Sequence, residues 1–234
     1  MGVAQKYVPT SLNDVVMPNV ATENRLNGYA SSGLNGHIIL WGPNGTGKST
    51  VAHLLPAAIS GDDALVESKS LEDLLAMRDL KGYLKQAAHL AQLSNSSKYF
   101  LVYHEADAVK GNFARFWTAV DDCGSDVMMI FTTNNPMSIP ASIRSRSDEI
   151  ALPALTPQQF LPRAQFILQS EGVHIPNAQV LHYLTQIQHT PDARKYCRRL
   201  DEIIYLVNSG LPLPAAPAAA ANQPQIKVVA GKKK

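Results

Sequence analysis

Apolar residues fall along this chain in two rhythms. Short unbroken runs of strand length recur at His37–Trp41 (HIILW), Tyr99–Tyr103 (YFLVY) and Val127–Thr132 (VMMIFT), with a weaker run at Ala64–Val66 and a last one at Glu149–Leu152. Between them the spacing turns helical: onward from Lys48, from Leu71 to Leu93 with breaks expected around Gly82, and from Phe113 to Val120. Pro56 is expected to cut or kink the first of these helices early. Buried strands alternating with helices predict an α/β domain, a parallel sheet covered on both faces.

After Pro153 only the helical rhythm remains, over Phe160–Gln169, Asn177–Gln188 and Asp192–Val207. Pro157 and Asn177 stand at plausible starts and Gly172 at a stop, while Pro162 falls early enough in its helix to be tolerated. The expected organisation is an α/β domain over 1–153, a small all-helical domain over 154–208 and a tail over 209–234. Within that tail, LPLPAAPAAAANQP reads as a semi-rigid linker. QIKVVAGKKK after it reads either as a peptide that docks on a protein partner or as a solubilising end.

Composition narrows the class. At 45% apolar and 17% charged, the 234 residues suit a globular protein with room for a sizeable core. No apolar run is long enough for a membrane span, and MGVAQKYVPTS lacks the apolar core of a signal peptide. With only two cysteines, Cys123 and Cys197, no disulfide framework is expected, and a cytoplasmic location is. The net charge of +2 owes its sign to the tail. Taking Lys227, Lys232, Lys233 and Lys234 from the 21 basic residues leaves a slightly acidic body, set against 19 acids. Any contact with nucleic acid therefore needs a local patch.

The strongest chemical signal is Gly42-Pro43-Asn44-Gly45-Thr46-Gly47-Lys48-Ser49, followed by Thr50. It matches G-x-x-x-x-G-K-[ST] without a gap, between a strand and a helix. Glycines there let main-chain N–H groups turn toward phosphates, the lysine neutralises the β and γ oxygens, and the serine hydroxyl ligates magnesium. ATP and Mg2+ are the expected ligands.

Further motifs carry a family resemblance over roughly residues 4–208. Lys6-Tyr7-Val8-Pro9, running on to Leu12-Asn13-Asp14-Val15-Val16, resembles the K-Y-R-P…L-D-D-V stretch of clamp-loader AAA+ ATPases, with Val8 at the arginine position. Lys98–Asp107 resembles their Walker B strand, with His104 where the first acid of D-E-A-D stands. Thr132-Thr133-Asn134-Asn135-Pro136 falls at sensor 1, Ser145-Arg146-Ser147 at the S-R-C motif, and Pro191-Asp192-Ala193-Arg194 at the G-D-x-R of sensor 2.

The resemblance implies a P-loop AAA+ fold with a helical lid. It implies that Tyr7 and Val16 lie near the adenine, that Glu105 is the catalytic base, and that Asn134 touches the γ-phosphate or the attacking water. Arg194 would report lid closure, and Arg146 would act on a neighbouring subunit's site, which predicts an oligomer of AAA+ subunits. His104 would accept at most one hydrogen bond from metal-bound water and add no negative charge. Each of the three sensing residues also has a plainer reading: Asn134 as a loop cap, Arg146 and Arg194 as solvated charges.

DNA is an expected partner, with Lys81, Lys85, Lys110, Asn112 and Arg115 as candidate phosphate contacts or as ordinary solvated residues. Clamp loaders carry a further collar domain, whereas the residues after Asn208 read as linker. Assembly is therefore expected through the AAA+ faces or on a partner's scaffold. Two functions follow: an ATP-driven, clamp-loader-like DNA machine, or a nucleotide-dependent assembly switch with slow hydrolysis. A protein-remodelling chaperone is a more remote third.

Overall fold

The computed structural model describes residues 1–31, 33–106, 114–122, 124–187 and 192–214. Asp107, Lys110, Asn112, the side chain of Arg115, Cys123, Pro191 and the tail beyond 214 lie outside the described residues.

Five strands form one parallel sheet: β1 (His37–Trp41), β2 (Leu65–Lys69), β3 (Tyr99–Tyr103), β4 (Val127–Thr133) and β5 (Ser147–Ala151), in the order β2-β3-β4-β1-β5. The central strands are the continuous apolar runs, as burial on both faces requires. In β4 all seven residues are buried. Both edges carry charge, Glu67 and Lys69 on β2 and Asp148 and Glu149 on β5, which discourages pairing with other chains. Register pairs Val102 and Ile38 with Ile130 on either side of β4.

Side chains along each strand alternate between two apolar layers. Ile39, Leu101, Met129 and Phe131 pack beneath α4 (Leu71–Ala76), α5 (Leu80–Leu93), α6 (Ala114–Asp121) and α7 (Ala141–Arg144). Ile38, Leu40, Phe100, Val102 and Ile130 pack on the other face with α2 (Val20–Ala30) and α3 (Lys48–Ser60). Burying each such side chain contributes about 1.5–3 kcal/mol.

Two expectations change. α3 does not stop at Pro56 but runs on to Ser60. Proline removes one backbone donor, and the burial of Val51, Ala52, Leu55 and Pro56 itself against the sheet offsets that loss. The break in the long 71–93 pattern lies at 77–79 rather than at Gly82. Asp79 caps α5 by accepting the Gly82 N–H at 2.8 Å, so Gly82 sits inside the first turn.

A third apolar cluster gathers α8 (Pro157–Ser170), α9 (Asn177–Thr185) and α10 (Ala193–Asn208). Thr156 opens α8 with a reciprocal cap to Gln159, and Pro162 lies within the helix without ending it. Val3, on the short α1 (Val3–Lys6), is buried in this helical cluster and not against the sheet. Its N–H donates to Asp201 of α10 at 2.8 Å. Among the described residues no helix is long and apolar enough to cross a membrane.

Candidate functional site

Parallel strands put all their C-terminal ends on one edge of the sheet. The loops after β1, β3 and β4 therefore meet there, and they carry the phosphate loop, Glu105 and Asn134. The helical cluster closes over the same edge. Between them is a cavity of about 460 Å³, within the usual range for a ligand pocket.

The loop after β1 is shaped by its glycines. Gly42, Gly45 and Gly47 all have positive φ. A Cβ on Gly42 would lie 2.1 Å from the Leu152 carbonyl oxygen, so only glycine allows β1 to pass this close to the chain leaving β5. α3 begins at Lys48, with Gly47 before it in the left-handed region. Main-chain N–H groups at a helix start favour anions. The Lys48 ammonium is largely buried and donates to the carbonyls of Gly42 at 2.8 Å and Pro43 at 2.7 Å, and to Asn134 Oδ1 at 3.0 Å. One cation thus ties the phosphate loop to the end of β4.

Glu105 follows β3 and lines the cavity. Its φ of 51° makes it the one non-glycine residue with positive φ among the described residues. Such conformations cost on the order of 1–3 kcal/mol and collect at functional sites. Its N–H donates to Thr132 Oγ1 at 3.3 Å. His104, one residue earlier, does not line the cavity. Its Nε2 lies 3.1 Å from Nε2 of His53 on α3, and its Nδ1 lies 3.5 Å from Thr132 Oγ1. Burial and the neighbouring His53 hold the His104 imidazole below its ordinary pKa. So the side chain of His104 meets His53 on α3 and Thr132 on β4 instead of lining the cavity.

Tyr7, Val16, Asn44, Gly45, Thr46, Gly47, Lys48, Ser49, Thr50, Glu105, Asn134 and Arg194 all line this one cavity. Gly42 and Pro43, also expected there, do not line it; their carbonyls accept hydrogen bonds from Lys48, which does. The lining also includes an apolar set, Val3, Val8, Val15, Phe160 and Ile167. Several of these come from helix faces whose periodicity signals only core, so the sequence does not mark them as site residues. Arg163 is another addition: it lines the cavity and donates to the Tyr7 carbonyl at 2.9 Å. Tyr7 is fastened further by donating to Glu171, which also pairs with Lys6. Asp14 caps the turn at Ser11, and hydrogen bonds from Ser11 and Thr10 hold its carboxyl below the usual range.

Arg146 lies apart from the cavity. It is partly exposed between α7 and β5 and bonds Asp121 with two nitrogens, each at 3.3 Å. Among the DNA candidates, Lys81 pairs with Asp122 at 2.5 Å and Lys85 is exposed on α5.

A parallel sheet with a glycine-built phosphate loop after β1 and a helical cap over the loop defines a P-loop nucleotide-binding protein. Residues 38–154 match the model of the ATPase family associated with various cellular activities, AAA, and the chain belongs to that family. It is similar to replication factor C small subunit 2 of Pyrobaculum islandicum, 25% identical over 174 residues, covering 73% of this chain and 54% of that protein. It is likewise similar to the sliding-clamp-loader large subunit of Enterobacteria phage T4, 25% identical over 206 residues, covering 84% of this chain and 63% of the phage protein. The chain thus spans between half and two thirds of these relatives' lengths. The Thermotoga maritima RuvB Holliday junction branch migration motor shares the fold, with a TM-score of 0.60 at 17% identity over 87% of this chain and 65% of that one.

Proposed function

We propose that this chain is an ATP-binding and ATP-hydrolysing subunit of an oligomeric, clamp-loader-like machine that works on DNA. The observation that carries this is the convergence of four separate segments on one cavity: the loop with Lys48 and Ser49, Glu105 after β3, Asn134 after β4, and Arg194 at the start of α10. The clamp-loader names of its relatives supply the DNA context. A cytoplasmic location suits a chain with two cysteines.

The apolar part of the lining suits a base and the phosphate loop a triphosphate. Oxygen donors border the loop, the Ser49 hydroxyl and the Glu105 carboxylate, and such donors suit a hard cation. Ser49 would hold magnesium there, and the ion would supply positive charge to offset that of the phosphates. Glu105 accepts the proton of the attacking water, Asn134 orients that water, and Lys48 offsets charge on the phosphates. Arg194 draws the helical cap down on the nucleotide. Arg146 serves a neighbouring subunit's site, as its position outside its own cavity favours. DNA phosphates meet the α5–α6 side of the sheet, where Lys81, Lys85, Lys110, Asn112 and Arg115 fall in the sequence.

Steady-state ATPase measured with and without primed duplex DNA tests the reading. Stimulation by DNA, lost in Glu105→Gln, is expected. An unchanged rate in Glu105→Gln would overturn the hydrolytic assignment. One observation favours a slower, switch-like variant of the same site: His104 supplies no negative charge and faces His53. On that reading His104→Asp raises turnover by roughly 10–100-fold, while ATP-dependent assembly proceeds in the wild type without DNA stimulation.

A further inference from the structure

The His53–His104 pair is unused by the mechanism above. His53 lies four residues after Ser49 on α3, so it occupies the same helix face about 6 Å further along. It is exposed, and His104 across from it is half-buried at the end of β3. Their rings lie 4.9 Å apart between centroids, and the two Nε2 atoms face each other at 3.1 Å. Thr132 Oγ1 sits near Nδ1 of His104 and can accept its proton, which leaves the Nε2 lone pair directed at His53.

We infer that this pair is a binding site for a divalent transition ion that prefers nitrogen, such as Zn2+, Co2+ or Ni2+. Metal–nitrogen bonds of about 2.0–2.1 Å place cis nitrogens about 2.8–3.4 Å apart, from octahedral to tetrahedral geometry. The observed 3.1 Å lies inside that interval, so the nitrogens are already spaced for a chelate, which forms when the rings swing to aim both Nε2 lone pairs at a shared ion instead of at each other. Imidazole selects such ions over Mg2+, which takes oxygen. Among the described residues no third His, Cys, Asp or Glu joins the pair, so water completes the coordination sphere from the exposed side. The site is distinct from the oxygen donors at Ser49 and Glu105 and needs no nucleotide.

Titration of the full chain with Co2+, followed by visible absorption, and with Zn2+, followed by calorimetry, tests this without nucleotide. One ion per wild-type chain is expected. His53→Gln keeps a hydrogen-bonding side chain at an exposed position but loses the ligand. It and His104→Gln should each weaken binding about tenfold or more, while His182→Gln leaves it unchanged. Lys48→Ala should lose ATP binding and keep the metal, which separates this site from the nucleotide reading. Equal affinity in wild type and His53→Gln, or no binding by wild type where a two-histidine chelate saturates, overturns the inference.

Discussion

The main-chain N–H of Ala193 donates to the carbonyl oxygen of Gly45 across 3.1 Å, joining the first residue of α10 to the middle of the phosphate loop. Asp192 packs against the same glycine, close enough that a Cβ on Gly45 would lie 1.8 Å from Asp192 Oδ1. The cap and the loop therefore fit each other only while residue 45 lacks a side chain. Gly45 also has a φ of 73°, which disfavours any other residue. Gly45→Ala is expected to weaken binding of a fluorescent ATP analogue by roughly tenfold or more, since about 1.4 kcal/mol is a factor of ten and both strain and collision oppose it. Asp192→Ala in the same chain should recover part of that loss. Full-affinity binding by Gly45→Ala would show that the cap and loop need not meet.

Arg146 offers a second test. If it serves a neighbour, Arg146→Ala should keep ATP binding and lose turnover by about 10³-fold or more, the usual worth of an arginine supplied in trans. Mixing Arg146→Ala with Glu105→Gln should restore hydrolysis, because each supplies what the other lacks. A mixture as inactive as its components would remove the trans role. Asp121 holds the Arg146 guanidinium within its own chain, so Asp121→Asn should raise turnover in the assembled protein.

His37 governs part of the acid stability. The Met129 N–H donates to its Nδ1, so protonation there would set two donors face to face. Burial pushes the imidazole down to about 4 from 6.5, with Lys98 and Arg146 adding to the effect and Asp121 opposing it. Between those values the unfolded chain binds the proton and the native one does not. Stability is therefore full above about 6.5 and falls as pH drops toward 4, by on the order of 3 kcal/mol from this group. Urea unfolding at pH 7 and pH 5 should show a smaller loss in His37→Gln than in wild type. Equal losses would assign the acid sensitivity elsewhere.

Tyr103 carries the opposite kind of burden. Its ring stacks on Phe131, and its hydroxyl is buried without a hydrogen-bond partner among the described residues. Burial raises its pKa well above the ordinary value. An unsatisfied buried polar group costs about 1–3 kcal/mol. Tyr103→Phe should thus be neutral to stabilising by up to ~1 kcal/mol, read from the denaturant midpoint. A clear loss of stability would mean that the hydroxyl is satisfied in solution.

The strands and the phosphate loop were legible because unbroken apolar runs and a gapless glycine pattern have few other meanings. The register of the third cluster was not. Val3 reads as an unremarkable residue near the chain start, and only the fold brings it to Asp201. α2 escaped because its apolar stripe is thin, with Thr22, Leu26 and Tyr29 as its buried residues. The apolar lining of the cavity was hidden because Phe160 and Ile167 obey ordinary core periodicity. His104 was visible as a substitution, but its turn toward His53 depends on α3 lying beside β3, a relation that spacing along the chain does not encode.

The bond between Val3 and Asp201 spans 198 positions of sequence. On the ribosome, residue 3 is made long before its partner, and the third apolar cluster stays open until α10 has emerged. The sheet, whose last strand ends at Ala151, can assemble well before then. Synthesis thus delivers a finished phosphate loop first and its cap last, so a nascent chain presents the loop before it has the means to enclose a nucleotide.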